Sequence, residues 1–450
     1  MSAVAERNTP APSFAGETLG SDPFPPMIQI GNVSAPAAPV DLDGTGLERT
    51  ILSDLALKTA HTLPRCTTKW IAGQMHLPVP LVEELLEQMA KDHLLEVLGQ
   101  EGPFNRRYTL SGRGHERVLR LLNLSGYVGP SPVSLEAYSN LIYLQHSQFP
   151  EVSLAEVQRA LGELVLPPDD VMTSALAFMS QRSLFVFGPP GNGKTSLARL
   201  LHNVVERDLW IPHAICVGSE VIRLFDTQIH QCASFSPAQP WKIDQRWVRI
   251  RRPFIVAGGE MTIESLEMAH SPTRGYYEAP LHIKSNGGTF MIDDLGRQRV
   301  EPAALLNRWI LPLEHGFDYF SLHSGHKIKV PFQQMLLVAT NLDPERVMDP
   351  AFLRRMGYRV HLATPGPERY REIFEKYAAR WHAEVQPGLV DRLLERYRQE
   401  GRELRGCEPR DLIGRVQDIC QLRRQPLELN DEFLDLAWTS YFGTKRSLER

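Results

Sequence analysis

The chain has 450 residues, 42% of them apolar, with 49 Lys and Arg against 53 Asp and Glu for a formal net charge of -4. That length predicts about three domains with ample core material, and the near balance of charge excludes a general pull toward nucleic acid or an anionic membrane, so any such contact needs a local patch. The five cysteines (Cys66, Cys216, Cys232, Cys407, Cys420) have neither C-x-x-C nor Cys/His ligand spacing, which argues against structural zinc and a disulfide framework. Without a long apolar run or a basic-then-apolar start, a cytoplasmic protein with no membrane span is expected.

Residues 1–46 are rich in Pro, Ala, Gly and Ser and carry Glu6, Glu17, Asp22, Asp41 and Asp43 against Arg7, which predicts a disordered acidic tail. From 47 to 125 the pattern becomes helix (47–60), helix (67–75), a Pro78-Val79-Pro80 turn into a third helix through Leu81, Leu85, Leu86 and Met89, then strands at 94–98 and 107–110 around a glycine-bearing tip. This resembles a winged helix-turn-helix domain, whose third helix usually enters the DNA major groove. Here that helix carries Glu83, Glu84, Glu87 and Asp92 with only Lys91 in reply, so phosphate repulsion disfavours DNA despite Arg106 and Arg107 in the wing. A protein-docking or positioning role is the reading adopted.

Helices at 134–145 and 153–164, the second opened by a Ser153-x-x-Glu156 capping box, and one from 167 to about 181 lead into an apolar run at 183–187. Gly188-Pro189-Pro190-Gly191-Asn192-Gly193-Lys194-Thr195 follows and fills G-x-x-x-x-G-K-[ST]. Ser196 continues into an amphipathic helix with Leu197, Leu200, Leu201 and Val204 at helical spacing. Strand, glycine loop and helix in that order make a phosphate-binding loop: backbone N–H groups and the helix N-terminus face an anion, Lys194 meets the β/γ oxygens of ATP, and the Thr195 hydroxyl ligates Mg²⁺.

A second strand is expected at 213–217. The run 241–254 interleaves Lys242, Arg246, Arg249, Arg251 and Arg252 with Trp241, Trp247 and Ile250; this is read as an inserted strand with a charged face, with single-stranded nucleic acid as the alternative. Tyr276 and Tyr277 are either pore-loop aromatics or core residues. Residues 289–292 form an apolar run ending in Asp293 and Asp294, as in a buried parallel strand that delivers carboxylates to the ligand edge of a sheet. Asp293 would hold Mg²⁺ through water and Asp294 would orient or deprotonate the attacking water. A fourth strand at 335–340 ends in Asn341, and a last strand is expected at 359–362, after the pair Arg354 and Arg355.

This order resembles the AAA+ ATPases, and the resemblance covers about residues 150 to 445. It implies an α/β AAA+ P-loop NTPase core with a parallel sheet, a C-terminal helical lid and the N-terminal winged helix-turn-helix domain, divided at 1–46, 47–125, 126–365 and 366–450. By position, Asn341 looks like sensor 1, Arg355 like the arginine finger with Arg354 in reserve, and Arg410 like sensor 2. The resemblance further implies ATP hydrolysis with Mg²⁺ in a homo-oligomer, usually a hexameric ring, because the finger serves a neighbour's nucleotide. The segment from Tyr276-Tyr277-Glu278-Ala279 through Gly287-Gly288 to Asp294, followed by Leu305-Leu306, Leu311-Pro312-Leu313-Glu314, Gly316 and a hairpin at 317–322 and 327–330, is similar to the pre-sensor-1 β-hairpin branch, which contains the MoxR-like ATPases, the chelatase subunits and the enhancer-binding activators, and is most similar to the central domain of the last group. The activators' G-A-F-T-G-A loop is replaced by about 258–275, which removes a sigma-factor role. Asp294 also stands where the family usually has Glu, drawing the carboxylate back by roughly 1.3 Å. The expectation is a chaperone-like remodeller of a protein complex whose client the sequence does not name. The alternatives are an ATP-switched DNA-binding transcriptional regulator and a scaffold that binds ATP without turnover.

Overall fold

The structure, a computed structural model, describes residues 25–237, 239–347 and 350–443. At its centre lie five parallel strands: β1 (Leu184–Phe187), β2 (Phe254–Ala257), β3 (Thr289–Ile292), β4 (Met335–Thr340) and β5 (Tyr358–His361), in the spatial order β2-β3-β4-β1-β5. The residues of β3 and β4 are buried throughout, which is why their sequences run apolar without alternation. One sheet face packs on Val157, Phe178, Leu197 and Leu201, the other on Leu305, Trp309 and Phe352. Helix α1 (Lys194–Asn203) follows β1 across the glycine loop. A helical lid completes the C-terminal part: α2 (Pro367–Arg380), α3 (Leu389–Gln399), α4 (Glu408–Arg423) and α5 (Asp431–Phe442) around Tyr370, Phe374, Tyr397, Leu412 and Trp438. Sheet order, glycine loop and lid together are the AAA+ P-loop fold.

Residues 49–124 form helices Arg49–His61, Thr68–Met75 and Val79–Lys91 and an antiparallel sheet in which Arg106–Leu110 lies between Cys66–Thr67 and Leu95–Gln100. Local chemistry sets these ends: the Thr67 hydroxyl accepts from Trp70 N at 3.2 Å, and His76 closes the second helix at φ 55. Strand Cys66–Thr67 and a fourth helix, Gly112–Leu124, go beyond the sequence pattern; two residues are too short to show a period, and the helix buries only Gly114 and Val118.

Two expectations are corrected. Residues 27–36 of the supposed acidic tail form an antiparallel hairpin, Met27–Ile30 with Val33–Pro36, tied down where Trp210 Nε1 donates to Ser34 O at 3.0 Å; residues 1–24 lie outside the described residues. The strand Ala214–Val217 exists but is not in the parallel core. It turns at Gly218 (φ 57) and pairs antiparallel with Glu220–Arg223, in a second five-stranded sheet with Val133–Ser134, Tyr276–Glu278 and Ala269–Ser271. The second core strand is β2, reached only after Asp208–Pro212 and Trp247–Arg251 have paired with each other. Two of the cations around it are spent on structure: Arg246 is buried against Asp244 at 2.8 Å and Arg249 pairs with Asp208 at 2.8 Å.

The hairpin Phe317–Ser321 with Lys327–Pro331 forms as expected, but its apolar side is buried in the chain's own core beside Tyr138 and Trp210. Tyr277 is buried there too, its hydroxyl donating to Glu220 Oε1 at 2.9 Å and accepting from His323 N at 2.7 Å, so it is a core residue. Among the described residues no helix is long and apolar enough to cross a membrane.

Candidate nucleotide site

The site is built by strand register. Phe187 of β1 pairs with Thr340 of β4, so the next residues, Gly188 and Asn341, leave the sheet side by side. On the far side of β4, Ile292 pairs with Val338 and delivers Asp293 and Asp294 to the same edge. The loop needs glycine here. Gly188 sits at φ 136 with Leu362 O only 2.4 Å from where a Cβ would lie, and Gly191 sits at φ 80 with Cys407 Sγ 2.7 Å from its would-be Cβ.

Lys194 is buried, and its Nζ donates to Gly188 O at 2.8 Å, Pro189 O at 2.9 Å and Asn341 Oδ1 at 2.6 Å. Burial pulls its pKa below the usual lysine value, against the raising effect of Asp294 and Asp293. The Thr195 hydroxyl donates to Asp293 Oδ2 at 2.9 Å. Asn341 Nδ2 donates to Asp294 Oδ1 at 3.0 Å, so its amide joins Lys194 to Asp294. Lys194, Asn341 and Asp294 thereby form one hydrogen-bonded chain, with the bonded pair Thr195 and Asp293 beside it.

Asp294 adopts φ 50, a left-handed conformation costly for a residue with a side chain. Its turn is held by neighbours that the sequence reading missed. Thr340 Oγ1 donates to Leu295 O at 2.6 Å, and Gln298 Nε2 donates to Asp293 O at 3.2 Å and Gly258 O at 3.3 Å, stitching the ends of β2, β3 and β4. Arg297 Nη1 lies 3.3 Å from Asp294 Oδ2. The polar run after Asp294, Gly296-Arg297-Gln298-Arg299, was the available signal.

The lid reaches the loop directly. Gly406 N donates to Asn192 Oδ1 at 3.1 Å, and Asn192 Nδ2 donates to Leu362 O at 3.3 Å. Between lid and loop is a cleft lined by Leu164, Gly193, Ser196, Tyr377, Cys407 and Arg410. Arg410, in the first turn of α4, donates through Nε to Asp411 Oδ1 at 2.9 Å and is half-exposed in that cleft. Arg355 does not join the cluster. It ends the short helix Pro350–Arg355, and its Nη2 lies 2.8 Å from Glu314 Oε2.

Thr195 Oγ1 and Asp293 Oδ2 are hard oxygen donors already in contact, a pair that fits Mg²⁺, which keeps several waters and takes few protein ligands. The inward glycine loop, the α1 N-terminus and the Lys194 charge fit a polyphosphate.

A family described as "Domain of unknown function (DUF8689)" matches residues 366–440, which is the helical lid. No curated protein matches the chain. Among solved structures, the RuvB Holliday junction branch migration motor of Thermotoga maritima is similar at 14% identity and TM-score 0.34, covering 60% of this chain and 67% of that one. NtrX from Brucella abortus in complex with ATP is similar at 11% identity and TM-score 0.37, covering 73% of this chain and 67% of that one. Likenesses at this level carry no functional argument.

Proposed function

We propose that this chain binds MgATP between the phosphate loop and the lid and hydrolyses it as an oligomeric AAA+ machine, in a hexameric ring, that remodels a protein assembly. The observation that carries the reading is the direct bonding of Lys194, Asn341 and Asp294, beside Thr195 and Asp293, across the ends of three strands far apart in sequence. Lys194 is held by two carbonyls and an amide, with no carboxylate of the described residues within ion-pair distance, so its charge is available to the β/γ oxygens in a site where burial strengthens attraction. Thr195 and Asp293 would hold Mg²⁺, which when bound neutralises charge on the transferred phosphoryl group. Asp294 would orient the attacking water and accept its proton, with Asn341 fixing the carboxylate and Arg410 reaching the phosphates as the lid closes.

Arg355 would act in trans. Its ion pair with Glu314 lies at the solvent-screened surface, and a neighbour's phosphates would compete for the guanidinium. The remodelling role is preferred to DNA-switched regulation because both wing arginines are engaged, Arg106 with Glu87 at 2.5 Å and Arg107 Nε with Glu101 at 2.6 Å, beside an acidic helix.

The test is ATPase activity of the parent, Lys194→Ala, Arg355→Ala and a mixture of the two variants, across protein concentration. A finger is worth ~10³ to 10⁵ in rate in related phosphate-loop enzymes. Each variant alone should be inactive, with Arg355→Ala still binding ATP, and the mixture should recover activity at interfaces that pair an intact Arg355 with an intact loop. Near-normal nucleotide affinity in Lys194→Ala overturns the site; concentration-independent turnover without recovery in an exchanging mixture overturns the ring.

A further inference from the structure

A second concavity lies apart from the nucleotide cleft. It is a groove of about 1110 Å³ between the hairpin at 27–36, the C-terminal end of α1 and the inserted strands, and five arginines line it: Arg199, Arg207, Arg249, Arg251 and Arg252. Among the described residues only two carboxylates share the lining, Glu206 and Asp208, and Asp208 is already paired with Arg249. Three of the five cations come from the run 241–254, whose interleaving of cations and aromatics the ATPase reading leaves unused.

Most of these arginines are not neutralised from within. Arg252 is buried and donates to Gly287 O at 3.2 Å and His202 O at 3.0 Å, and Arg207 Nη1 donates to Gln145 O at 2.9 Å and Gln148 O at 2.8 Å. These carbonyls fix the guanidinium planes but bring no full negative charge, and a buried cation without a counter-charge is costly. Burial and the neighbouring Arg207 pull Arg252 down to about 10. The side chains of Arg199 and Arg251 are exposed, with no hydrogen-bond or ion-pair partner among the described residues. Arg249 and Arg251 stand two residues apart on one strand, so their side chains share a face about 7 Å apart.

We infer that this groove binds the phosphodiester backbone of a single-stranded nucleic acid. Its volume exceeds what one small anion fills. The exposed amides of Asn32, Gln148, Asn203 and Gln231 line it, and each can both donate and accept, as the mixed edges of unpaired bases require; the half-buried Phe254 adds an aromatic edge.

The experiment is fluorescence anisotropy of labelled dT and rU dodecamers with 5′-hydroxyl ends, which offer the phosphate loop no terminal phosphate. The full chain is titrated at several salt concentrations. Arg199→Gln/Arg251→Gln should weaken binding at least ten-fold and reduce the salt slope by about 1.4, at ~0.7 for each phosphate left without its arginine. Melting temperature and ATPase activity, to which neither residue contributes, should match the parent. No binding by the parent overturns the inference. So does binding that survives in the groove variant but disappears in Arg106→Gln/Arg107→Gln, and so does polyglutamate of equal charge displacing the oligonucleotide at equal concentration.

Discussion

Asn341 and Asp294 are 47 residues apart in sequence, yet the Asn341 amide donates to the Asp294 carboxylate at 3.0 Å. The same amide accepts from Lys194, so one side chain touches both the cation proposed to bind phosphate and the carboxylate proposed to act on water. Asn341→Ala should therefore lower kcat by roughly 10- to 100-fold while changing ATP affinity less than about three-fold. Pre-steady-state turnover alongside equilibrium nucleotide binding separates the two, and an equal drop in both would make Asn341 a binding residue only.

Asp294 combines a proposed chemical role with backbone strain. Asp294→Asn should bind ATP without hydrolysing it, and Asp294→Glu should keep or raise the rate, because the longer arm restores reach. Asp294→Gly and Asp294→Ala both lack the carboxylate, but only alanine retains the cost of φ 50, so the glycine variant should be more stable by about 1 kcal/mol. Denaturant unfolding of the pair checks this, and equal midpoints would remove the strain.

Gly191 and Cys407 couple loop to lid. Gly191→Ala places a methyl 2.7 Å from the Cys407 sulfur at φ 80, and should cost about 2 kcal/mol and weaken nucleotide binding. Adding Cys407→Ala should recover the steric part but not the backbone part, giving a coupling energy above about 0.5 kcal/mol in a double-mutant cycle. Strict additivity would mean the lid does not sit against the loop in solution.

Lys58 is buried in helix Arg49–His61, donates to Ser125 O at 3.0 Å, and burial pulls its pKa down to about 8 from 10.5, with Asp54 opposing. The folded state thus releases this proton before the unfolded state does. Between pH 8 and 10.5 the unfolded chain binds more protons at this site, so its contribution to stability rises with pH across that window and is least favourable below it. Lys58→Met should raise stability at pH 7 and flatten the dependence above pH 8 relative to the parent. A steeper rise in the variant would contradict the assignment.

Elements whose chemistry is contiguous were legible without the fold. Gly188 to Thr195 forms the expected loop between a buried strand and a helix, and Asp293, Asp294 and Asn341 follow the ends of apolar strands, because such boundaries are set by short-range pattern and local sterics, although the left-handed turn at Asp294 was not. Strand pairing was not legible, because it is settled by long-range packing. The apolar run at 214–217 is as good a core strand as Phe254–Ala257, but Gly218 turns it back on Glu220–Arg223, and nothing local tells a strand which neighbour will satisfy its backbone groups. The same holds for the hairpin at 27–36, whose Pro- and Ala-rich surroundings look unable to bury enough surface until Trp210, 176 residues from Ser34, packs over it. Arg355 meeting Glu314, Gln298 bridging two strand ends, and five arginines gathering in one groove arise in the same way, from backbone pairing that brings side chains together across long stretches of chain.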